Sequence, residues 1–447
     1  MRYPKNPDEV VAIVNEAISR GITVKAFGAR HSQTDIICTE GIPVDMLKLK
    51  FSRMNDDNVT ATFGAGVTLK DVGKFLLQHG RALRTTPAYG HITLGGAVGT
   101  GAHGSTLKYN SSISAQVVQM TIVDGLGRKL VISDADDLKS FKIHLGLLVL
   151  AHNYIAPDKV LTNGVALNWA RASDQIMFCW FPSTKEVVVA NSTFLPVETY
   201  GTAHSAIVPR TYGYSNLILH KAKEIAYELA TNECTLASSL GNKIVHAIEI
   251  LAKSSLFAQT PGFVPIYSED GVLLQNPAIG FPNEMLSSVC SEENSGLTGK
   301  ACVWAHGDLH ANLTALDNEF AIPIDEIENF VLTVKDILSK TPTAFPVQGI
   351  IFRFSAQSDS YMSVSHGRDT VHIEFLVAKR SNSYEKASGG LAGYQTIGQS
   401  LARKFSGRSH WGKSGLIYHS SEMLDIKLNP IPRAKFVGNI GMMFNLL

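Results

Sequence analysis

Between Gly95 and Gly104 the chain places five glycines in ten positions, within Thr93-Leu94-Gly95-Gly96-Ala97-Val98-Gly99-Thr100-Gly101-Ala102-His103-Gly104-Ser105. Missing Cβ atoms let backbone approach a ligand or another segment more closely than other residues allow. Successive free N–H groups in such a turn form a concave donor nest suited to a pyrophosphate. A flexible surface loop is the competing reading of an isolated stretch of this kind. No clean strand–Gly-x-Gly-x-x-Gly–helix unit surrounds it, so it is not a Rossmann fingerprint.

At 447 residues the chain is too long for one ordinary core. A typical ~150 residues per domain predicts about two or three domains. Forty Lys and Arg against 39 Asp and Glu leave a net charge of +1. That balance gives no electrostatic footprint for nucleic acid or an acidic membrane surface. The apolar run around Leu145 to Ala151 falls far short of the ~20 residues a membrane helix needs, so no transmembrane span is expected. Cys38, Cys179, Cys234, Cys290 and Cys302 are odd in number, widely spaced and without a Cys-x-x-Cys pair, which argues against a disulfide scaffold or a cysteine zinc site. Met1-Arg2-Tyr3-Pro4 is followed by no apolar targeting segment. The expectation is a soluble protein, either cytoplasmic or secretory with its signal removed.

Asn6 as N-cap, Pro7 in the first turn and the acidic Asp8 and Glu9 predict a helix whose apolar stripe includes Val10, Val14 and Ala17 and which Gly21 stops. Ile22 to Phe27 reads as a strand, and Val59 to Phe63 as a second. A helix follows, starting at Thr68 opposite Asp71 and ending at Gly80. Gln116 to Val123 and Lys129 to Ile132 flank the turn Asp124-Gly125-Leu126-Gly127 and predict a hairpin. Residues 1–155 thus form an α+β unit. Residues 156–400 change texture, with helices over Leu217–Ala230, Lys243–Lys253 and Ile324–Ser339 and strands over Ile350–Ser355 and Thr370–Val377. Residues 401–447 turn irregular again.

The first strand runs into Gly28-Ala29-Arg30-His31-Ser32. Alone, a histidine in a strand-exit turn is usually solvated or hydrogen-bonded. Together with Pro87 to Ser105, however, this turn resembles the FAD-binding domain of the vanillyl-alcohol oxidase/p-cresol methylhydroxylase (PCMH-type) flavoproteins. The resemblance implies an α+β, two-subdomain FAD-binding domain over 1–155 and an α+β cap domain with an antiparallel sheet over 156–400. Residues 401–447 would return to the FAD-binding domain. It also implies FAD held by Gly28, Ala29, Arg30, His31, Ser32, Gly95, Gly96, Gly99, Thr100, Gly101, His103, Gly104 and Ser105. His31 stands where the family often bonds the flavin covalently, and no cysteine near the second run offers another attachment.

Gly407-Arg408-Ser409-His410-Trp411-Gly412-Lys413 is similar to the C-terminal signature of the aldonolactone/alditol oxidase branch, which includes gulonolactone and arabinonolactone oxidases. Arg353 matches that branch's cap-strand arginine, and Gly367-Arg368-Asp369-Thr370-Val371 fits as well. Two positions depart from the pattern. Ile351 stands where the branch carries a glutamate, and Leu376 where it carries a threonine. Glu374, on the strand face of Leu376, is then expected to be the one carboxylate left facing the substrate. Substrate hydroxyls buried unpaired cost ~1–3 kcal/mol each, which points to a less polar substrate than a sugar lactone. Around Leu145 to His152 the chain is shorter than the resemblance leads one to expect, by about a dozen or more residues.

The implied reaction moves hydride from a C–H group, expected to be CH–OH, to flavin N5. Arg353 and Lys413 would hold the reacting oxygen, and Glu374, His372 or His410 would accept its proton, with Glu374 ranked first. Dioxygen or a protein acceptor would reoxidise the flavin. An oxidative cyclase or other tailoring enzyme, and a flavin-binding module that has lost turnover, are the alternatives. His306 and His310 are spaced as metal ligands, but Gly307 between them argues against a stable helix, and no metal is expected.

Overall fold

The computed structural model describes residues 1–32, 38–87, 90–133, 144–145, 148–195, 207–208, 243, 246–247, 249–250, 253, 267–268, 278–280, 313–341, 349–360, 363–380 and 389–413. Helix α1 (Pro7–Arg20) begins as its sequence dictates: the Asn6 side chain accepts from Glu9 N, and Gly21 closes it with φ 62°. Its buried Ile13 and Ala17 pack on Ile42 and Val44 of a parallel pair, β1 (Val24–Phe27) and β2 (Ile42–Asp45). An antiparallel pair follows, β3 (Ser52–Met54) with β4 (Ala61–Phe63). The second strand starts two residues later than its sequence suggests, because Asn58 takes a left-handed turn conformation (φ 51°) and Val59 is left exposed.

Helix α2 (Leu69–Gln78) is capped by Thr68, whose hydroxyl accepts from Asp71 N. After β5 (Arg81–Ala82), the glycine-rich run departs from the expected open turn. Leu94–Gly99 forms a short helix, α3, with Thr93 as its N-cap. Most of the N–H groups in that stretch therefore serve the helix and its neighbours. The expected hairpin forms from β6 (Gln119–Val123) and β7 (Lys129–Ser133). Asp124 Oδ1 accepts from Leu126 N and Arg128 N, and Gly127 supplies φ 73°.

Strand β8 (His144–Leu145) pairs with β5, and β9 (Leu148–Pro157) opens the second unit. The boundary expected at 155/156 falls inside β9, which lies wholly in the large sheet. Helix α4 (Val165–Ala172), β10 (Gln175–Phe181) and β11 (Glu186–Leu195) follow, then β12 (Ile207–Val208), β13 (Tyr267–Ser268) and β14 (Ala278–Gly280). Next come β15 (Leu313–Pro323), α5 (Ile327–Lys340), β16 (Ile350–Ser355), β17 (Thr370–Arg380), α6 (Gly389–Lys404) and β18 (Arg408–Ser409). The eight-stranded sheet runs β14-β9-β11-β10-β16-β17-β15-β18, antiparallel throughout. The described residues between Lys243 and Lys253 are helical as expected, whereas Leu217–Ala230 and His306 to His310 lie outside the described residues.

Period-two alternation gives this sheet two unlike faces. Phe178, Trp180, Phe320, Ile322, Phe352, Phe354, Val371 and Ile373 point to one side, where they pack on α4, α5 and the end of α6. Phe330 of α5 sits amid this core, 6.0 Å from the Phe352 ring, 6.3 Å from Phe320 and 5.7 Å from Phe405. Phe330→Ala should therefore lower unfolding stability by about 3–5 kcal/mol, measurable by chemical denaturation. A loss below about 1 kcal/mol would show that this core does not support the sheet.

Candidate active site

The other face of the sheet carries the titratable groups. Arg353 faces His372 and Ile351 faces Glu374 across β16 and β17, while Glu374 in turn faces Glu319 on β15. Asp317, two residues earlier on β15, shares the face and pairs in register with Leu376, whose side chain lies outside the described residues. Glu374 is thus one of three carboxylates here, not the sole one. Beyond Ile351 the row becomes apolar, through Cys179 and Val188 to the cluster that includes Phe181, Ala190 and Met177.

On the ionic half, Arg353 Nη2 lies 2.8 Å from Glu374 Oε2, and Lys413 Nζ pairs with Asp317 and sits 3.4 Å from Glu374 Oε1. The buried Nε of Arg353 finds no acceptor among the described residues. Burial pushes the Glu374 carboxyl up, with the Arg353 guanidinium pulling the other way. Burial also brings the Lys413 ammonium down to about 7.

Three histidines meet at the junction of this face with the glycine-rich run. His103 Nε2 is 2.6 Å and His372 Nδ1 3.0 Å from Glu319 Oε1, and the two rings stack with centroids 3.8 Å apart. The three ligand atoms lie within 4.8 Å of one another, spacing that a metal could use, but the short contacts converge on one oxygen as hydrogen bonds. His410 Nδ1 accepts from Gly412 N at 3.1 Å, and the ring also bonds the Gly101 backbone. Burial drives it down to about 4. These contacts hold the C-terminal turn against Gly101.

The expected cofactor residues divide in the same way. Gly28 lies so close to the next segment that a Cβ there would fall 1.9 Å from Thr93 Oγ1, which brings the turn 28–32 against the start of α3. A Cβ at Gly104 would meet Thr85 Oγ1 at 2.0 Å, and at Gly95 the Ala65 Cβ at 2.9 Å. The buried hydroxyls of Thr85, Thr86 and Ser111 have no partner among the described residues. Close-packed glycines beside unused buried donors fit a bound dinucleotide. His31 and Ser32 are half-buried in this turn, and Ala29 is exposed. Arg30 (φ 58°) instead spends its guanidinium on the Phe27 ring and Asp45, and Thr100 bonds Gly96 O within its helix. His103 belongs to the Glu319 cluster. Ser105 joins the two units, its hydroxyl donating to Ile176 O and accepting from Phe354 N.

Asp317 and Glu319 were not legible as site residues. The available signal was acidic residues alternating with Leu316, Phe320 and Ile322 ahead of Pro323, a pattern that burial would ordinarily forbid.

Residues 1–133 match the family model described as FAD binding domain, and residues 309–425 that of D-arabinono-1,4-lactone oxidase. L-gulonolactone oxidase 5 of Arabidopsis thaliana is 26% identical over 457 residues, covering 92% of this chain and 73% of that protein. L-gulono-1,4-lactone dehydrogenase of Mycobacterium tuberculosis is 23% identical over 92% of this chain and 85% of its own. Among solved structures, a cholesterol oxidase from Brevibacterium sterolicum superposes with a TM-score of 0.62 at 15% identity, over 92% and 82% of the two chains, which shows a shared fold.

Glycine substitutions should separate close packing from backbone conformation. Gly28→Ala should sharply reduce FAD content, because its Cβ cannot clear Thr93. Gly101 has open space around it but φ 69°, so Gly101→Ala should cost only about 1–2 kcal/mol of backbone strain and keep most of the cofactor. Flavin absorbance per protein is the readout, and equal FAD content in the Gly28 variant and wild type would refute the cradle.

Proposed function

Because the chain belongs to the PCMH-type FAD flavoproteins, in their aldonolactone oxidase branch, we propose that it oxidises a CH–OH group on a compound with a polar reacting end and an apolar body. The observation that carries this reading is the division of one sheet face between Glu374 and its cross-strand neighbour Ile351. To one side stand Arg353, Glu374, Asp317 and Lys413, and to the other Ile351, Cys179, Val188 and Met177.

When bound, FAD supplies the hydride acceptor. The residues of the chain hold the substrate and handle its proton. Arg353 keeps one guanidinium edge on Glu374 and has Nε left to donate to the reacting oxygen. Lys413 adds a second cation that stabilises negative charge as it develops there. Glu374, whose carboxyl burial pushes up against the pull of Arg353, accepts the hydroxyl proton, with His372 beside it. The apolar half covers the substrate body, gaining ~25 cal/mol per Å² removed from water. Gly28, His31, Ser32, Gly95, Gly96, Gly99, Gly101 and Gly104 border the FAD, with His31 as the point of covalent attachment. The division taken is 1–155 for FAD, 156–400 for the cap and 401–447 for the returning segment; that β9 lies in the large sheet supports starting the cap nearer Leu148. No described helix is long and apolar enough to cross a membrane.

Anaerobic stopped-flow bleaching across gulono- and galactono-1,4-lactone, xylitol, sorbitol, vanillyl alcohol and cinnamyl alcohol tests the substrate reading. The aromatic alcohols should reduce the flavin faster than the sugars, and Arg353→Ala should slow reduction at least about tenfold. Fast reduction by a simple aldonolactone would overturn the preference for an apolar body.

Covalent attachment has its own test. Wild-type protein should remain yellow after acid precipitation, whereas His31→Ala should release its FAD while still binding some of it in native buffer. Flavin that stays covalently bound in the variant would exclude His31.

A further inference from the structure

Glu319 is fully buried, carries no role in the reaction as described, and touches two histidines from different parts of the chain. Its two contacts constrain where protons can be. His103 Nδ1 lies 2.8 Å from the Gly104 carbonyl, which only accepts, so Nδ1 carries hydrogen. His103 Nε2 lies 2.6 Å from Glu319 Oε1. Two bare lone pairs at that distance would repel, so a proton occupies this contact as well. Whether it resides on nitrogen or oxygen, Oε1 still accepts from His372 Nδ1 at 3.0 Å. His372 is therefore the Nδ1–H tautomer, with the lone pair on Nε2, whose one contact among the described residues is a long 3.5 Å approach to Thr370 Oγ1.

We infer that Glu319 is a positioning residue, which holds a proton in its contact with His103 and fixes the ring and tautomer of His372 on the reacting face. The inference rests on that face being where the substrate reacts. His410 Nδ1 is taken by Gly412 N, whereas His372 Nε2 makes no short bond among the described residues and Glu319 engages the other nitrogen of that ring. Burial works against charge on every member of the cluster, and the groups that oppose or reinforce it come from each neighbouring segment. His103 arrives from the glycine-rich run, Arg353 from β16, Glu374 and His372 from β17, and His410 from the C-terminal turn. The imidazoles hold Glu319 well below the usual carboxylate range despite its burial. The proton is therefore held in the short contact between His103 and Glu319: burial lowers the imidazole, and the imidazoles lower the carboxyl.

The test uses FAD-loaded wild type, Glu319→Gln and Glu319→Asp. Without substrate, wild type should show a strongly deshielded, exchange-protected proton in the contact between His103 and Glu319 that is absent from Glu319→Gln. With vanillyl alcohol, or gulono-1,4-lactone if that reduces faster, Glu319→Gln should lower the limiting rate of flavin reduction about tenfold or more with little change in the half-saturating concentration. The carboxylate favours protonation of His372, so its removal should move the acidic limb of the rate profile to lower pH. Glu319→Asp should restore the limb and part of the rate. A cluster that merely supports the fold would lower FAD content without moving the limb. An unmoved limb and rate, or a wild type without the deshielded proton, would overturn the inference. If neither compound bleaches wild-type flavin, the functional reading fails, while the proton resonance still decides the role of Glu319.

Discussion

Asp317, Glu319 and Glu374 lie on a sheet face that gives them almost no water, and a carboxylate in that position must be matched by cations or protons. Arg353, Lys413, His103 and His372 supply them, each from a different element. The site is consequently not a set of side chains added to a finished scaffold. Removing one partner leaves the others buried and unbalanced, so the charge pattern fixes how the glycine-rich run, the cap sheet and the C-terminal turn meet.

The opposite face makes such an arrangement tolerable. Phe178, Trp180, Phe320, Phe352 and Phe354 interlock with α5 and hold the strands in one register. A slip of one residue would turn these aromatics away from α5 and bring Glu319, Arg353 and Glu374 toward the core in their place. The ionic face is therefore secured by apolar packing that takes no part in the chemistry. The sharp change from Glu374 to Ile351 across a single strand pair then gives the reacting face an end that grips oxygen and a side that does not.

Local chemistry was the readable part of this chain. Asn6, Thr68 and Asp124 each announced a cap or turn that the fold uses, and the strands holding Arg353 and Glu374 stood out by alternation. The glycine-rich run was harder, because its residues satisfy both an open nest and the short helix of Leu94–Gly99, and only packing against Ala65 and Thr85 decides between them. Least readable were Asp317 and Glu319. Acidic residues normally signal solvent, and what keeps these two buried are histidines and a lysine far away in sequence. Nor does anything local say that the hydrogen bonds of Ser105 and His410 join distant segments.

Ser105 and Phe354 are 249 positions apart, yet a single hydroxyl ties them, and His103 reaches Glu319 across 216. Contacts of such long sequence separation form late in folding, after the intervening loop entropy has been overcome. The N-terminal unit can assemble α1, β1 and β2 early, but the floor beneath its glycine-rich run exists only once residues near the end of the chain have arrived. The surface against which the glycine-rich run is set is thus built by Glu319 and Phe354, and a chain cut before them would have the helix and the turn without it.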